Sequence, residues 1–183
     1  MNVRERQAFW NNYLTQRTGT YEFRCRRYEK VADFMKIGKK PVAYGDIVVD
    51  LGGGRGEFGL YLRECFPELD LVYVNIDGSI DGVDLNRYIP TLKADFYVSI
   101  EVMEHLSYPW RMLYDAARCA RKAVIITTPN PKVTDVLGMD RTHVTPIEIE
   151  DLRFHGFRYV GFYNLFTGNS YDTLVGWKRG QAR

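Results

Sequence analysis

Four short apolar runs stand out in the middle of the chain, at positions 47–51, 71–75, 95–99 and 123–127. Each run is rich in β-branched residues and is bounded by polar residues or glycine. Such runs are typical of strands that are buried on both faces of a parallel sheet. Helices are predicted between them, over 57–65 and over 101–121 with a break at Pro109. The alternation predicts an α/β fold with a doubly wound, mostly parallel sheet and right-handed crossovers.

Apolar residues at helical spacing mark the segment before this alternation. Over residues 21–36 they share one side of a predicted amphipathic helix, at Tyr21, Cys25, Tyr28, Ala32 and Met35. A shorter helix is predicted around Phe9, Tyr13 and Leu14. We expect a single domain of residues 1–183, with an N-terminal helical cap over 1–44 and an α/β core over 45–183.

The end of the chain predicts one more helix and a pair of strands. Residues 145–148 have the pattern of a capping box with proline at the first helical position, and Gly156 suits the helix end. Residues 157–163 and 171–177 are then predicted as two strands joined by a turn at Gly168-Asn169. We expect these strands to form an antiparallel hairpin at one end of the sheet.

Composition excludes several classes of protein. The 183 residues are 45% apolar and 26% charged, as in an ordinary globular domain. The three cysteines are far apart and form no C-x-x-C pair, so neither a zinc site nor a disulfide framework is predicted. No run approaches the roughly 18 apolar residues of a membrane span, and the first residues are polar. We therefore expect a cytoplasmic protein with no membrane partner.

Positive charge is concentrated near the N-terminus. Residues 1–40 carry ten Lys or Arg against four Asp or Glu, whereas the whole chain has a net charge of +2. Two interpretations stay open. The basic segment faces an anionic partner such as nucleic acid, or it is the solvated side of amphipathic helices.

A glycine-rich segment, from Asp50 to Gly56, lies directly after the first strand and directly before a helix. Ligands of doubly wound sheets bind at the carboxyl ends of the strands, and glycine lets a ligand approach the main chain. Glu57 stands where a nicotinamide-binding fingerprint requires a third glycine. A Walker loop is also excluded, because no G-K-[ST] sequence follows.

Four segments in order resemble the motifs of class I S-adenosylmethionine-dependent methyltransferases. They are the glycine-rich segment, residues 95–106, residues 125–130 and residues 143–157. The last two are similar to the subgroup that includes ubiquinone-biosynthesis O-methyltransferases. The likeness covers residues 45–177. It implies a Rossmann-like methyltransferase fold and S-adenosyl-L-methionine as the cofactor.

The resemblance implies a role for each position that matches a motif. The amino-acid half of the cofactor would lie on the glycine-rich segment, at Asp50, Gly52, Gly53, Gly54 and Gly56. The methionine portion would lie beside Ser99, Ile100 and Glu101. The adenine side would lie at a strand end over residues 83–86, at Asp84 and Leu85.

The second strand departs from the family pattern. In the family it normally ends in an acid that binds both ribose hydroxyls, whereas the aligned residue here is Asn75 and Asp77 follows. Either Asp77 reaches the ribose, or Asn75 makes fewer contacts with it. The stretch between Asp77 and Asp84 is so short that the helix usually found there must be reduced to a loop.

Acidic and imidazole groups follow the third strand. Glu101, Glu104 and His105 have the spacing of one helical face, and His143 follows in a later loop. In one interpretation His105 or His143 is a general base, with Glu104 beside it. In another, all four bind Mg²⁺ or Mn²⁺, and their spacing resembles the metal site of small-RNA 3′-end 2′-O-methyltransferases. In a third, the segment only shapes the cofactor pocket.

The sequence thus predicts an S-adenosylmethionine-dependent methyltransferase that acts on an oxygen or nitrogen atom of a small-molecule or nucleotide-like acceptor. The alternative is a cofactor-binding scaffold or regulatory module that transfers no methyl group, which the altered acid at Asn75 favours. The long, turn-rich segment over 129–145 is expected to form a lid beside the site.

Overall fold

The structure, a computed structural model, describes residues 21–37, 40–163 and 172–182. Its strands are β1 (Ile47–Leu51), β2 (Val72–Ile76), β3 (Ala94–Ile100), β4 (Ala120–Pro129), β5 (Arg158–Tyr163) and β6 (Asp172–Arg179). Its helices are α1 (Tyr21–Met35), α2 (Glu57–Cys65), α3 (Gly78–Asp81), α4 (Pro109–Cys119), α5 (Val136–Met139) and α6 (Ile149–Phe154). Short 3₁₀ turns lie at Pro67–Leu69 and Met103–His105.

The strands form one six-stranded sheet in the order β2–β1–β3–β4–β6–β5. Strand β1 pairs in parallel with β2 and β3, and β3 pairs in parallel with β4. Strand β6 pairs antiparallel with both β4 and β5. This mixed sheet with flanking helices confirms the predicted Rossmann-like fold and its C-terminal antiparallel hairpin. The parallel strands all end at the same edge, which brings the loops after them together.

The central strands are buried on both faces, which explains their continuous apolar runs. Side chains alternate along a strand, so neighbouring residues enter different cores. One face packs against α1 and α2, and its strand residues include Val48 and Ile125. The other face packs against α4 and α6, and its strand residues include Val49 and Val124.

The predicted strand end over residues 83–86 is wrong. The structure describes this stretch without a strand, and residues 85–87 form a turn. A parallel strand needs a crossover of roughly a dozen residues. Between β2 and Asp84 the chain has room only for the single turn of α3. Among the strands that the structure describes, β2 is therefore the outermost on this side of the sheet.

The helix predicted over 101–121 begins later than expected. Glu101 has a φ of 55°, and Met103–His105 is a 3₁₀ turn, so Glu101, Glu104 and His105 do not share a helical face. Helix α4 starts at Pro109. Proline fixes its own φ and disfavours helical geometry in the preceding residue, so it starts this helix and separates it from the turn.

The late helix α6 also begins after its predicted start. Thr145 does not cap it, because its hydroxyl donates to the carbonyl oxygen of Leu106 at 2.7 Å. Glu148 and Asp151 form the capping box instead, each side chain accepting from the other residue's backbone N–H. Gly156 follows the helix with a φ of 76°, which suits its predicted role as the helix stop.

Some predicted features lie outside the described residues. They are the short helix around Phe9, Tyr13 and Leu14, and the hairpin turn at Gly168-Asn169. Among the helices that the structure does describe, none has the length and apolar character that crossing a membrane requires.

Candidate functional site

A cavity of about 340 Å³ opens where the parallel strands end. The loop after β1 forms one wall, α1 another, and the Met103–His105 turn a third. Its lining combines glycine main chain with cationic, acidic, imidazole and apolar side chains: Arg24, Arg27, Tyr28, Asp50, Gly52, Gly53, Gly54, Phe58, Ile100, Glu101, Glu104, His105, Met139 and His143. Because doubly wound sheets bind ligands at this edge, the cavity is the candidate functional site.

Two glycines in the loop after β1 serve different purposes. At Gly52, with a φ of 84°, an added Cβ would lie 2.6 Å from Cγ2 of Val102, so the protein itself closes this position. At Gly54, with a φ of 53°, an added Cβ would meet no atom within 4 Å. Gly54 lines the cavity, so its open side is space that a ligand can fill. A ligand can therefore approach the main chain closely at Gly54.

Two buried side chains from the region of β2 hold Gly54 in place. The Nδ2 amide of Asn75 donates to the carbonyl oxygen of Gly54 at 2.8 Å. The Oδ2 of Asp77 accepts from the N–H of the same glycine at 2.8 Å. We call this arrangement the Gly54 clamp. An ionised acid at position 75 could not donate such a bond, which is a structural reason for an amide at this position.

Asp50, near the end of β1, lines the cavity and carries a buried acceptor atom that the described residues do not use. Its Oδ2 accepts from the hydroxyl of Tyr73 at 2.5 Å. Its buried Oδ1 has no hydrogen-bond partner within the described part of the chain. Burial raises the pKa of Asp50 to about 7, although the bond from Tyr73 acts in the opposite direction. The carboxyl group is therefore suited to meet a cationic donor.

Helix α1 contributes two arginine side chains to the cavity that were not predicted as site residues. Arg24, Arg27 and Tyr28 all line the cavity. Arg24 Nη1 lies 2.9 Å from Oε2 of Glu57, and the Tyr28 hydroxyl donates to the same oxygen at 3.2 Å. Arg27 Nη1 lies 3.9 Å from Oε2 of Glu101. The i, i+3, i+4 spacing of the three side chains on a predicted helix was the signal that could have found them.

Glu101 occupies a strained backbone position at the end of β3. Its φ of 55° is in the left-handed region, which residues other than glycine rarely adopt. Its N–H donates to the carbonyl oxygen of Thr127 at 3.1 Å, and its Oε1 accepts from the Thr127 hydroxyl at 2.8 Å. These bonds to β4 keep Glu101 in a conformation that is unfavourable on its own.

Three side chains on the far wall come together as a Glu–His–His cluster, formed by Glu104, His105 and His143. One oxygen or nitrogen atom from each lies within 4.8 Å of the others. Glu104 accepts from the Thr128 hydroxyl at 3.3 Å. Burial, and then the negative charge of Glu101, raise the pKa of Glu104 well above its usual value. Of the four predicted metal ligands the structure gathers these three, and Glu101 lies outside the cluster.

Hydrogen bonds determine which nitrogen of each imidazole carries a proton. Nδ1 of His143 lies 2.6 Å from the carbonyl oxygen of Val136, which can only accept, so Nδ1 donates. Nδ1 of His105 lies 2.9 Å from the Thr142 hydroxyl, which gives its own proton to Asp140 at 2.7 Å. This Nδ1 donates as well, and Nε2 of each neutral ring keeps its lone pair. Burial, followed by the charge of His143, lowers the pKa of His105, which favours its neutral form.

Half of the predicted cofactor residues do not line the cavity: Gly56, Asn75, Asp77, Asp84, Leu85 and Ser99. The hydroxyl of Ser99 donates to the carbonyl oxygen of Leu51 at 3.1 Å beneath the site. Asp84 accepts from the N–H of Asn86 at 3.0 Å within the turn after α3, and Leu85 packs into the core. The predicted cofactor residues that do line the cavity are thus mainly those assigned to the amino-acid half of the cofactor.

Comparison with known proteins agrees with this geometry. A family described as a methyltransferase domain matches residues 22–180, which include every residue that lines the cavity. The chain belongs to this methyltransferase-domain family. No curated protein sequence matches the methyltransferase closely enough to report.

Solved structures share the fold of this methyltransferase. A SAM-dependent methyltransferase from Aquifex aeolicus is 16% identical, with a TM-score of 0.55 over 97% of this chain and 98% of the other. Magnesium protoporphyrin IX methyltransferase from Synechocystis, with bound S-adenosylhomocysteine, is 14% identical, with a TM-score of 0.50 over 92% of each chain. Phosphoethanolamine N-methyltransferase 2 from Haemonchus contortus, in complex with S-adenosyl-L-methionine, is 11% identical, with a TM-score of 0.60 over 86% of this chain and 53% of the other.

The family match confirms the prediction of a methyltransferase, and the neighbours confirm the predicted fold. The likeness to ubiquinone-biosynthesis O-methyltransferases stays a prediction. The roles of the individual site residues also stay predictions.

Proposed function

We propose that this methyltransferase binds S-adenosylmethionine in the cavity and transfers its methyl group to an oxygen or nitrogen atom of a small-molecule or nucleotide-like acceptor. The observation that carries the proposal is the open side of Gly54 at the carboxyl edge of the sheet, in a cavity also lined by Asp50, whose buried Oδ1 has no hydrogen-bond partner among the described residues. Two structural neighbours are complexes with S-adenosylmethionine or S-adenosylhomocysteine, which supports the same ligand here.

The residues around the cavity fit the amino-acid half of this cofactor. Its ammonium group requires an acceptor, and Asp50 supplies the buried Oδ1. Its carboxylate requires cationic donors, and Arg24 and Arg27 line the same cavity. Gly54 leaves the main chain between them accessible.

The other half of the cofactor would extend beyond the cavity towards β2. We assign the ribose to Asn75 and Asp77, and the adenine to the turn that contains Asp84 and Leu85. A carboxylate accepts several hydrogen bonds at once, so the bond of Asp77 within the Gly54 clamp leaves it able to accept from a ribose hydroxyl. The methionine side would contact Ile100 and Glu101 above Ser99, and Gly56 would complete the loop.

When bound, the cofactor would supply an activated methyl group for transfer. The residues of the chain hold the acceptor in line with that group and remove its proton. The imidazoles of His105 and His143 are suited to the proton transfer, since Nε2 of either ring has a lone pair when that ring is neutral. The bond from Nδ1 of His105 to Thr142 holds that ring in the tautomer that a base requires.

We further propose that residues 1–44 act as a cap on the core within one domain of residues 1–183. Helix α1 contributes Tyr28 and Val31 to the same core cluster as Val48 of β1, while its arginines reach the cavity. The basic segment of residues 1–40 includes the arginines of α1 that line the cavity, which makes an acceptor with phosphate groups, nucleic acid included, compatible with this arrangement.

Calorimetry with S-adenosylmethionine and S-adenosylhomocysteine tests the cofactor proposal. We expect micromolar binding to the unaltered protein, and a loss of roughly tenfold or more in Gly54→Asp, because the new side chain fills ligand space. Gly45→Asp is the matched control: Gly45 has a φ of 72°, and an added Cβ also meets nothing within 4 Å. Equal losses in the two variants, or no binding at millimolar ligand, would refute the proposal.

A second candidate function concerns the Glu–His–His cluster, which could hold Mg²⁺ or Mn²⁺. The three ligand atoms lie within 4.8 Å of one another. His143 donates its Nδ1–H to the carbonyl oxygen of Val136, an arrangement typical of metal-binding histidines. An ion here would orient the oxygens of an acceptor that carries neighbouring hydroxyls.

Titration of the protein with Mn²⁺ distinguishes this function from a metal-free base. If the cluster binds the ion, Glu104→Gln and His143→Ala each abolish the binding heat, and a chelator suppresses methyl transfer. His155→Ala is the control, because His155 stacks on Trp110 at a ring distance of 4.0 Å and is not part of the cluster. Identical Mn²⁺ titrations for all three variants would rule out an ion at the cluster.

A further inference from the structure

A second cavity, of about 370 Å³, opens at the opposite edge of the sheet. It lies where β4 and β5 begin and β6 ends, on the face that packs against α1. We call it the basic pocket. Its lining comprises five cationic residues together with aromatic and small ones: Lys40, Arg121, Lys122, Arg158, Arg179, Ile37, Phe96, Ala123, Gly156 and Trp177.

The register of the last two strands explains why basic side chains meet here. Arg158 of β5 pairs with Trp177 of β6, so the two side chains lie on the same face. Arg179 follows two residues later on that face and pairs with Ala123 of β4. The small side chain of Ala123 leaves space between the longer ones.

Acidic residues neutralise only part of this charge. Arg121 Nη1 lies 3.3 Å from Oδ2 of Asp95, and Lys122 Nζ lies 2.5 Å from Oδ2 of Asp46. The other three cations, Lys40, Arg158 and Arg179, have no acidic partner among the residues that the structure describes. The basic pocket therefore carries an excess of positive charge.

The indole of Trp177 adds a hydrogen-bond donor, its buried Nε1, that has no acceptor within the described ranges. A buried donor without an acceptor costs stability unless another molecule supplies the acceptor. The ring of Phe96 also lines the pocket, with Nζ of Lys122 at 5.6 Å from the ring centre. The pocket groups that lack a partner among the described residues are thus hydrogen-bond donors or positive charges, and they lie next to aromatic side chains.

We propose that the basic pocket binds a small organic molecule that carries a phosphate group. Phosphate accepts several hydrogen bonds at once and pairs with arginine through two parallel bonds, which suits Arg158 and Arg179. Trp177 supplies one more donor, and the aromatic surface suits the organic part of the ligand. The site lies at the opposite end of the strands from the methyl-transfer cavity, so its occupation does not depend on the proposed cofactor.

The test is calorimetry with uridine monophosphate in the presence of saturating S-adenosylhomocysteine, with uridine, pyrophosphate and inorganic phosphate as comparison ligands. We expect uridine monophosphate to bind and uridine to bind at least roughly tenfold more weakly, since a charged contact is lost. The double variant Arg158→Glu, Arg179→Glu should lose the binding. Trp177→Phe, which keeps an aromatic ring without the N–H, should weaken it several-fold.

Arg111→Glu is the matched control, because Arg111 is an exposed residue of α4 outside the pocket. It should bind uridine monophosphate like the unaltered protein, and S-adenosylhomocysteine binding in every variant reports whether the fold is intact. Equal binding of uridine and uridine monophosphate, or retained binding in the double variant, would overturn the proposal. So would binding of a single-stranded oligonucleotide without binding of the mononucleotide, because the pocket would then belong to a nucleic-acid surface. Failure of S-adenosylhomocysteine to bind the unaltered protein would count against the cofactor proposal alone.

Discussion

Single side chains in this methyltransferase hold the main chain at the place where a ligand would contact it. In the Gly54 clamp, Asn75 donates to the carbonyl oxygen of Gly54, and Asp77 accepts from its N–H. The two bonds have opposite polarity, so the two side chains cannot exchange roles. Position 75 therefore requires a side chain that can donate, such as an amide, whereas position 77 requires one that can accept.

The variant Asn75→Asp tests this polarity. A carboxylate at position 75 would face the Gly54 carbonyl without a proton to share, so we expect a loss of about 1–3 kcal/mol in the free energy of unfolding. Binding of S-adenosylhomocysteine should weaken as well, since the loop would shift. Urea denaturation and calorimetry measure the two effects.

The control for this variant is Asn86→Asp. Asn86 uses its side-chain oxygen, which accepts from the N–H of Ser107 at 2.8 Å, so an aspartate can keep that bond. We expect a change within about 0.5 kcal/mol. Equal destabilisation by the two substitutions would show that charge, rather than the donor role of Asn75, is responsible.

The sequence places an amide at position 75 but does not show which atom it contacts. The atom that Asn75 contacts belongs to a residue 21 positions away, and only the pairing of β1 with β2 brings them together. Gly54 and Asp50 were predictable, because their types and spacing after a strand are local signals. Arg24 and Arg27 were not selected, since a charge on a helix is usually solvated.

Neighbouring strands are joined at the site by the bond between Asp50 of β1 and Tyr73 of β2, which is 2.5 Å long. Both groups are buried, and burial raises the pKa of Asp50 to about 7. The same burial, with the charge of Asp50 as the next cause, raises the pKa of Tyr73 well above its usual value. The pairing of these two strands is therefore sensitive to pH.

The free energy of unfolding should fall as pH rises, because of Asp50. An unfolded aspartate titrates at about 3.9, so between that pH and about 7 the folded protein holds a proton that the unfolded chain has released. The stabilising contribution is complete below about pH 4 and is lost as pH rises through about 7. In Asp50→Asn the decrease in the free energy of unfolding between about pH 5 and pH 8 should be smaller by about 2–3 kcal/mol.

Urea denaturation of both proteins at the two pH values measures this difference. Glu68→Gln, which removes an exposed acid, is the control, and its free energy of unfolding should change with pH as it does in the unaltered protein. If the free energy of unfolding of Asp50→Asn shows the same pH dependence, Asp50 is not the group that couples folding to pH.

Elements with a strong local pattern were predictable from the sequence. The apolar runs located β1 to β4 within a few residues, because a strand buried on both faces must be apolar throughout. The region around Glu101 was not predictable. Its left-handed backbone depends on bonds to Thr127 of β4, which is distant in sequence. The helical spacing of its acidic residues therefore indicated a helix that the fold does not form there.

The whole molecule separates two cavities of different character at opposite edges of one sheet. The first combines acidic, imidazole and cationic groups around the loop after β1, and the second is the basic pocket. Within the described part of the chain, no strand follows β2 at this side of the sheet, because the stretch between β2 and Asp84 is too short for a crossover. The short stretch between Asp77 and Asp84 predicted that the helix there is shortened. That residues 83–86 form no strand became clear only from the strand pairing of the structure.

The most direct test of the proposed function is an experimental structure of the methyltransferase with S-adenosylhomocysteine. We predict that the ligand occupies the cavity of about 340 Å³, with its amino group at Oδ1 of Asp50 and its carboxylate facing Arg24 and Arg27. Its chain should pass along the main chain of Gly54. A ligand bound elsewhere, or the same ligand with its carboxylate turned away from α1, would contradict the assignment of this cavity to the cofactor.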